Sequence, residues 1–494
     1  MSRFRAGRLL RSPWLPALAG LTAIVLAVAV APYVASTVIL TLAVACWLVW
    51  RFGARTGLWF FFVASIPFRE VLSIDIHGTA SLFLSDLLLI GLFAEGAYRG
   101  ELRRLWRSSV MFRIGLAILA LSLLGLMTAT RLFWGVASIY RIALQIAVFV
   151  VASSVVRSGR DATRTLVAVV VGLAPAVAYG FYQASLPFGT ELPGWSSYLV
   201  AYGPAGERSV RVFSTFDQPL RFSHYLTIGF GLSLGLALSN LRRAAKGALL
   251  LVGAAAAYCN VFTYSIAGTL GMLSAAGTTL VLGRRRAAVL LPLLIVSLLL
   301  LSPAALLDKA GRILTGDTTS VAARIVTYQQ GLLVVRDRPL LGVGWGSISS
   351  SLEHDYRITR SRAVAFAAEN YFLQRAVALG VPGLALYVAL CVLFFRSLRR
   401  TRGSPATASW PRAAILIGGV AFYVQAQSFS AGNATSNYVL WLLFALAGRM
   451  AEEARRPLRA AVTGTALTGP MPASPKGSVE PGMPRRGPEP EPNS

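Results

Sequence analysis

The sequence predicts an all-α integral membrane protein, a polytopic bundle of about 12–14 transmembrane helices with two large extracytoplasmic loops. Hydrophobic residues make up 55% of the 494-residue chain and charged residues only 14%, whereas a soluble protein carries about a quarter charged residues. The apolar residues come in blocks long enough to cross about 30 Å of hydrocarbon. Lys and Arg fall in short runs between these blocks, as the positive-inside rule predicts.

The net charge of +27 does not indicate a nucleic-acid partner. Basic residues that bind nucleic acid cluster on one face or domain, and here they alternate with apolar segments instead. The cysteines, Cys46, Cys259 and Cys391, all lie inside apolar segments. We interpret them as small packing residues, not as a disulfide or metal-binding set.

Fourteen apolar segments are candidate spans, and a count of twelve stays open because the third is short and the ninth and tenth share a minimal turn. The N-terminal basic-then-apolar stretch has the pattern of a signal peptide. A second span follows almost at once, so we expect an uncleaved first helix. The segments are centred near residues 17–31, 33–50, 57–68, 80–97, 110–129, 135–156, 165–183, 219–239, 247–264, 266–282, 287–303, 369–396, 413–430 and 435–449.

The orientation follows from the basic residues, which favour the cytoplasmic face. With a cytoplasmic N-terminus, most of them fall on cytoplasmic connections without a break in the alternation, as at Arg51/Arg55 and Arg284–Arg286. We therefore predict a multi-pass protein of the plasma (inner) membrane with both termini in the cytoplasm. Arg141 and Arg375 lie inside apolar segments.

This orientation divides the chain into six parts. Loops as long as the two external ones are usually functional or mobile, so any chemistry is expected on the outer face. The tail is rich in Pro, Gly and Ser, which is typical of disorder. The parts are N-terminal transmembrane helices (1–183), a first large extracytoplasmic loop (184–218), central transmembrane helices (219–303), a second such loop with a Gly-rich motif (304–368), C-terminal transmembrane helices (369–450) and a disordered cytoplasmic tail (451–494).

Glu369 and Asn370 stand at the start of a predicted membrane-spanning run, ahead of Val381-Pro382-Gly383. Because Pro lacks a backbone donor, we expect the helix to kink or break there. An ionisable group at the membrane edge often has a function, so Glu369 is a candidate catalytic residue together with Asn370. The alternative is a solvated carboxylate at a helix N-terminus, where the helix dipole favours it.

The stretch "RDRPLLGVGWGSI" carries Gly342, Gly344 and Gly346 at alternate positions. Glycines at this spacing let backbone N–H groups approach a ligand, or they support tight turns. No strand–helix unit surrounds the motif, so it is not a dinucleotide-binding fingerprint. A tight re-entry of the chain onto the bundle is the alternative interpretation.

Arginines on the predicted outer face run against the positive-inside tendency. Arg324 lies on a predicted helix ahead of the glycines and Arg338 stands directly before Pro339, while Arg208 and Arg211 precede the span at 219. A guanidinium binds phosphate through a bidentate fork. The alternative for each arginine is contact with lipid headgroups.

No metal site or cofactor is predicted. Glu353, His354 and Asp355 are adjacent in sequence, an arrangement that rarely forms a ligand set, and His77 and His224 are isolated. The chain has no phosphate-binding loop of the Walker type, no kinase signature and no nucleophile elbow.

Four motifs in fixed order resemble the O-antigen ligase and O-antigen polymerase superfamily. The resemblance covers about residues 208 to 390, and the helices before it fit only in hydropathy and charge bias. The order of the four motifs is fairly specific, whereas none of them is so alone. They are "RVFSTFDQPLRFSHYL", "TYSIAGTLGML", "ARIVTYQQGLLVVRDRPLLGVGWGS" and "ENYFLQRAVALGVPGLALY".

The resemblance implies a glycan transferase that uses an undecaprenyl-diphosphate-linked donor and a glycan or lipid acceptor at the outer face of the bilayer. It assigns Arg211 and Arg324 to the arginines of the family's loops. Two positions depart from the family pattern. Glu369 stands where His is common before Asn370, and Ile266 stands where many members have Arg after Ser265. The second departure puts one diphosphate contact in doubt.

The rival hypothesis is a multi-span transporter or flippase of lipid-linked glycans. Such proteins are expected to line a central path with paired intramembrane charges and often show pseudo-repeats. The polar residues here concentrate in the outer loops instead, which favours the enzyme. A sensor or assembly scaffold is a third possibility, which dispensable arginines would favour.

Overall fold

The computed structural model describes residues 32–69, 73–76, 80–187, 190, 200–202, 209–282, 311, 319–356, 370–428 and 434–465. Helices dominate this part of the chain, which confirms the predicted fold class. Five of them are long and apolar enough to cross a membrane: Val110–Thr128, Leu132–Val155, Gly159–Ser185, Arg243–Val261 and Tyr371–Arg400. The predicted spans at 17–31 and 287–303 lie outside the described residues.

The N-terminal half contains seven helices and one hairpin within the described residues. Strands β1 and β2 pair antiparallel, with Ser73 opposite Phe83. We predicted a span from residue 80, but Ala80–Phe83 pairs as a strand, so the helix begins at Leu84. The elements are α1 (Pro32–Phe52), α2 (Ala54–Ser65), β1 (Ser73–Ile76), β2 (Ala80–Phe83), α3 (Leu84–Tyr98), α4 (Glu101–Ser108), α5 (Val110–Leu124), α6 (Leu132–Val155) and α7 (Gly159–Ser185).

The C-terminal half begins with a second hairpin, in the segment predicted as the first large loop. The last helix ends at Thr465, within the segment predicted as the cytoplasmic tail. The elements are β3 (Val200–Tyr202), β4 (Ser209–Arg211), α8 (Pro219–Ala237), α9 (Arg243–Val261), α10 (Ile266–Val281), α11 (Thr319–Asp337), α12 (Ile348–His354), α13 (Tyr371–Arg400), α14 (Arg412–Gln425) and α15 (Ala434–Thr465).

The core lies where α8 packs between α9, α10 and α14. The start of α8, the end of α14 and the start of α13 meet there, because the Phe422 ring contacts both His224 and Tyr371. We call this end of the bundle the loop end, since β4 and α11 also lie at it. The candidate site residues that the structure describes are found on elements at the loop end.

A buried ion pair near this end joins the segment at Arg69 to helices α3 and α15. Arg69 donates to both carboxylate oxygens of Asp86, at 3.0 and 2.7 Å, and Tyr438 donates to the same carboxylate at 3.0 Å. The side chains of Arg69 and Asp86 are 4% and 0% exposed. A buried pair of this kind requires excellent geometry, and the bidentate fork together with the phenol supplies it. Intramembrane charges are normally paired in this way.

Candidate functional site at the loop end

Arg211 is positioned by the turn that precedes α10. It ends strand β4, and its Nε donates to the carbonyl oxygen of Thr263 at 2.8 Å. The next residue, Val212, donates its backbone N–H to Phe262 at 3.0 Å. These bonds attach the first loop to the segment "TYS", where Ser265 caps α10 by accepting from the Gly268 N–H. The second family-like motif, "TYSIAGTLGML", therefore holds Arg211, the first residue of the motif "RVFSTFDQPLRFSHYL".

The backbone on both sides of this attachment is strained. Ser214 and Tyr264 have positive φ values of 54° and 52°, which are uncommon for residues other than glycine. The side chain of Gln183 stabilises the first of them, because its Oε1 accepts from the Phe213 and Ser214 N–H groups and its Nε2 donates to Ser214. Such residues persist only where the surroundings fix them, and they cluster at functional sites.

A buried chain of polar contacts leads from this turn to the end of α14. Thr263 Oγ1 lies 3.3 Å from Asn260 Oδ1, which accepts from Ser223 Oγ at 2.7 Å. Ser223 Oγ in turn accepts from Gln425 Nε2 at 2.9 Å. All four side chains are buried. Helices α8, α9 and α14 are thus joined through polar side chains at the depth of the Arg211 turn.

Asn370 begins α13 and fulfils the role of its N-cap. Its Oδ1 accepts from the N–H groups of Phe372 and Leu373, both at 3.0 Å, which satisfies two of the donors that a helix start leaves open. Its amide Nδ2 lies 3.4 Å from Gln427 Oε1. Gln427 also receives a hydrogen bond from the Tyr328 hydroxyl, at 3.2 Å, on its backbone oxygen. Asn370 is therefore close to the helix of the second loop.

Arg324 and Tyr328 both belong to α11. Arg338 follows the end of α11 and lies about 15 Å beyond Tyr328 along the helix axis, at 1.5 Å per residue. There its guanidinium pairs with Asp355 at 3.2 Å, half-exposed on both sides. The structure thus brings Asn370 and Tyr328 of α11 together at Gln427, while Arg338 lies farther along the chain. Arg208 and Glu369 lie outside the described residues.

Beside Arg338, Tyr356 donates its hydroxyl hydrogen to Asp337 at 2.8 Å. Burial, together with this hydrogen bond to a carboxylate, raises the pKa of Tyr356 to about 12. The phenol therefore stays neutral at physiological pH and keeps donating. It fixes the short α12 segment against the end of α11.

The Gly-rich loop docks onto a break in α13. Gly380 has a φ of 68° inside that helix, so the carbonyls of the preceding turn lose their helical partners. Val381 N–H donates to Pro339 instead, at 2.7 Å, and Pro382 has no N–H to give. The freed carbonyls of Val377 and Ala378 accept from Val343 and Gly344, at 2.9 and 3.1 Å. We predicted the kink at Val381–Gly383, and the non-helical residue is Gly380, one position earlier.

Glycine is required in this loop because backbone meets backbone. Gly342, Gly344 and Gly346 all have positive φ, between 63° and 82°. A Cβ on Gly342 would meet the Val377 and Ala378 carbonyls, and one on Gly344 or Gly346 would meet the backbone near Gly125 or Gly135. These contacts favour the re-entry interpretation of the motif. The loop holds the start of α13, and with it Asn370, against the turn between α5 and α6.

A buried arginine also connects the Gly-rich loop to α13. Arg375 is 1% exposed, and its guanidinium carbon lies 4.2, 4.7 and 4.8 Å from the ring centres of Tyr387, Tyr371 and Trp345. A cation over aromatic faces is stabilised most where water is absent. Trp345 belongs to the Gly-rich loop, and the tyrosines lie on either side of the break in α13. The cation therefore joins the loop to both halves of the helix.

Sequence reasoning missed Gln427, Tyr328 and Arg375. Arg375 carried a signal, since an ionisable residue inside an apolar span predicts buried partners. Gln427 and Tyr328 carried none, because their contacts connect residues 57 and 99 positions apart. Their role appears only once α11, α13 and α14 are packed.

Part of the chain is similar to a known protein family. Residues 247–388 match the family model described as O-Antigen ligase. The matched range contains the "TYS" turn, α11, the Gly-rich loop and the start of α13. A search of curated proteins found no match to the chain. The match lies within the region whose motifs resemble the O-antigen ligase superfamily, and it confirms that resemblance for residues 247–388.

Proposed function

We propose that the protein transfers an oligo- or polysaccharide from an undecaprenyl-diphosphate carrier to a glycan or lipid acceptor, at the outer face of the plasma membrane. The reaction belongs to cell-surface polysaccharide biosynthesis. Both chain termini would lie in the cytoplasm and the loop end outside, as the distribution of basic residues favours. The match to the O-antigen ligase family supports the enzyme class.

One observation carries the proposal: the turn at Gln425–Gln427 contacts both halves of the candidate site. Gln425 belongs to the polar chain that reaches the Arg211 turn, and Gln427 contacts Asn370 and Tyr328. The two family-like loops and the start of α13, which are far apart in sequence, thereby share one support. This is the arrangement that a two-substrate transfer needs, since reacting groups must be held in register.

The chemistry follows from the residue types. An acceptor hydroxyl oxygen attacks the anomeric carbon of the donor sugar, the bond from that carbon to the diphosphate oxygen breaks, and the lipid diphosphate leaves. The charge that develops on the diphosphate is stabilised by Arg211 and Arg324, with Arg208 and Arg338 as further contacts. Glu369, next to Asn370, accepts the hydroxyl proton as general base. No metal ion or cofactor is part of this proposal.

The experiment is depletion of the protein in its native cell, followed by analysis of lipid-linked and surface glycans. We expect the undecaprenyl-diphosphate glycan to accumulate on the outer leaflet, where an added glycosidase that cannot cross the membrane digests it. The mature surface glycan should be lost. Accumulation on the inner leaflet, protected from that enzyme, would instead identify a flippase.

A further inference from the structure

A groove on the side of the bundle lies between α3, α4, α5 and α6, away from the candidate site. Its volume is about 610 Å³, and its exposed wall is apolar. Phe93, Leu116 and Ala143 form the wall, and Arg103 and Tyr140 line its two ends. Contact of this apolar surface with a hydrocarbon chain of the bilayer is more favourable than its contact with water.

The groove reaches about as deep as one leaflet of a membrane. On α5 the lining ends at Leu119, nine residues after the helix begins at Val110, which corresponds to a depth of about 14 Å. On α6 it stops at Tyr140, well inside that helix. Half of a hydrocarbon core of roughly 30 Å is about 15 Å. A chain that enters beside α4 would therefore end near the middle of the bilayer.

The mouth of the groove is at the end opposite the loop end. Helix α5 leads from α4 to Gly125, and Gly125 packs against Gly344 of the Gly-rich loop. The mouth and the candidate site are thus separated by the length of α5. A donor lipid whose diphosphate lies at the loop end would not place its headgroup at this mouth.

The mouth carries exposed cations. Helix α4 crosses it with Arg103, Trp106 and Arg107, all exposed. Arg104 is used inside the fold, because it pairs with Glu101 at 2.9 Å and donates to the Ser153 carbonyl at 3.1 Å. Arg103 and Arg107 make no ion pair with any residue in the described ranges. Tryptophan and arginine are the side chains that favour the level of the lipid headgroups.

We propose that this groove binds one acyl chain of an anionic phospholipid, with the phosphate held by Arg103 and Arg107. The charge at the mouth selects the headgroup, since guanidinium groups pair with phosphate in a bidentate fork. The depth selects a chain that spans one leaflet. Basic pockets between helix ends recognise anionic lipids in the same way. The lipid would hold α4 against α3, α5 and α6.

The test is native mass spectrometry of the full chain in detergent, titrated with phosphatidylglycerol and with phosphatidylethanolamine of equal chain length. The wild type should retain the anionic lipid preferentially. The double variant Arg103→Gln/Arg107→Gln should lose about fivefold in affinity per arginine for phosphatidylglycerol only. Ala143→Phe, which fills the groove, should weaken retention of both lipids, and Leu116→Trp serves if Ala143→Phe does not fold.

Two matched variants serve as controls. Arg160→Gln removes an exposed arginine from α7, outside the groove, and Ala117→Phe enlarges an exposed position of α5 that does not line it. Both should bind lipid as the wild type does. Equal retention of the two lipids by the wild type would overturn the proposal, as would arginine and groove variants that behave like these controls. A groove variant that loses a co-purified polyprenyl diphosphate but keeps phosphatidylglycerol would show that the assigned occupant is wrong.

Discussion

Arg211 reaches the candidate site through a fixed attachment and not through a flexible loop. Its Nε bond to Thr263 holds the side chain against the strained turn at Tyr264. A planar guanidinium can use one edge for such a bond while another edge faces an anion. Lysine carries a single compact ammonium group and cannot do both. For Arg211 we therefore expect the shape of the guanidinium group to matter more than its positive charge.

We therefore predict that Arg211→Lys and Arg324→Lys each lower glycan transfer severely at normal expression. Retained charge should not rescue the lost fork. The measurement is the rate of transfer from a synthetic lipid-diphosphate glycan by purified protein in liposomes. Arg160→Lys, an exposed position of α7, is the matched control and should transfer at the wild-type rate. Wild-type rates in both site variants would remove these arginines from the mechanism.

Glu369 is the position where the sequence makes the sharpest chemical prediction. If it is the general base, Glu369→Gln keeps the shape but cannot accept a proton, and the rate should fall about 10²–10⁴-fold. Glu369→His should recover part of the rate. Because a base works only when deprotonated, its acid limb should move up toward the imidazole pKa of about 6.5. The pH–rate profile of all three proteins measures this.

The opposite result for Glu369 is equally clear. A carboxylate that only interacts with the dipole of a helix N-terminus contributes less than about 1 kcal/mol to stability. Its Gln variant would then stay folded and keep more than about half of the wild-type rate. Folding of each variant is checked by its thermal unfolding midpoint in detergent.

Residues of the site differ in how far the sequence could predict them. Arg211, Arg324 and Asn370 carry local signals: a cation on the wrong face of the membrane, or an amide ahead of an apolar helix. Gln427 has no such signal, because a glutamine between two apolar segments is unremarkable until its neighbours are known. Its contacts depend on how α11 and α13 pack against the end of α14.

The junction between the Gly-rich loop and α13 is the element on which the site geometry depends. Two helix carbonyls that Gly380 and Pro382 leave open are satisfied by Val343 and Gly344 of the loop. Buried backbone groups are nearly always paired, so the break in the helix and the loop require each other. Arg375 and its three aromatic rings close the same junction.

We predict that Gly344→Ala destabilises the protein more than Gly403→Ala does. Both glycines have positive φ, at 78° and 80°, so each substitution should cost about 1–3 kcal/mol of backbone strain. Only at Gly344 would the new methyl group meet backbone atoms, while no atom lies within 4 Å of a Cβ on Gly403. The thermal unfolding midpoints compare the two directly. Equal midpoints would mean that the loop does not pack closely at Gly344.

The ends of the helices and strands show which parts of the fold an apolar sequence pattern can predict. Apolar blocks predicted α5, α6 and α7 to within six residues at each end, because a helix satisfies its own backbone in lipid. The hairpin of β1 and β2 was missed, since Ala80–Phe83 is as apolar as the helix that follows it. The break in α13 was predicted at Val381–Gly383, whereas the positive φ falls on Gly380, one residue before that stretch. Its position is set by the long-range partner Pro339.

At the scale of the whole molecule, the orientation in the membrane decides what the site can reach. We predict that residues 184–218 and 304–368 are extracytoplasmic and that residues 451–494 are cytoplasmic. Single cysteines placed in each segment, in a chain whose Cys46, Cys259 and Cys391 are replaced, report this by labelling with an impermeant reagent. Cysteines in the two loops should be labelled in intact cells, and cysteines in the tail only after the membrane is permeabilised. The reverse pattern would contradict the orientation and move the site to the cytoplasm.

The central claim is that this chain catalyses glycan transfer itself and does not move the donor between leaflets. Purified protein in detergent micelles tests it most directly, because micelles have no two sides and leave a flippase nothing to accomplish. With a lipid-diphosphate glycan and an acceptor, we predict a new glycosidic product, release of the lipid diphosphate in equal amount, and strong loss of both in Arg211→Lys. A folded wild-type protein that binds the donor but forms no product with any glycan or lipid acceptor from its native envelope would contradict the proposed function.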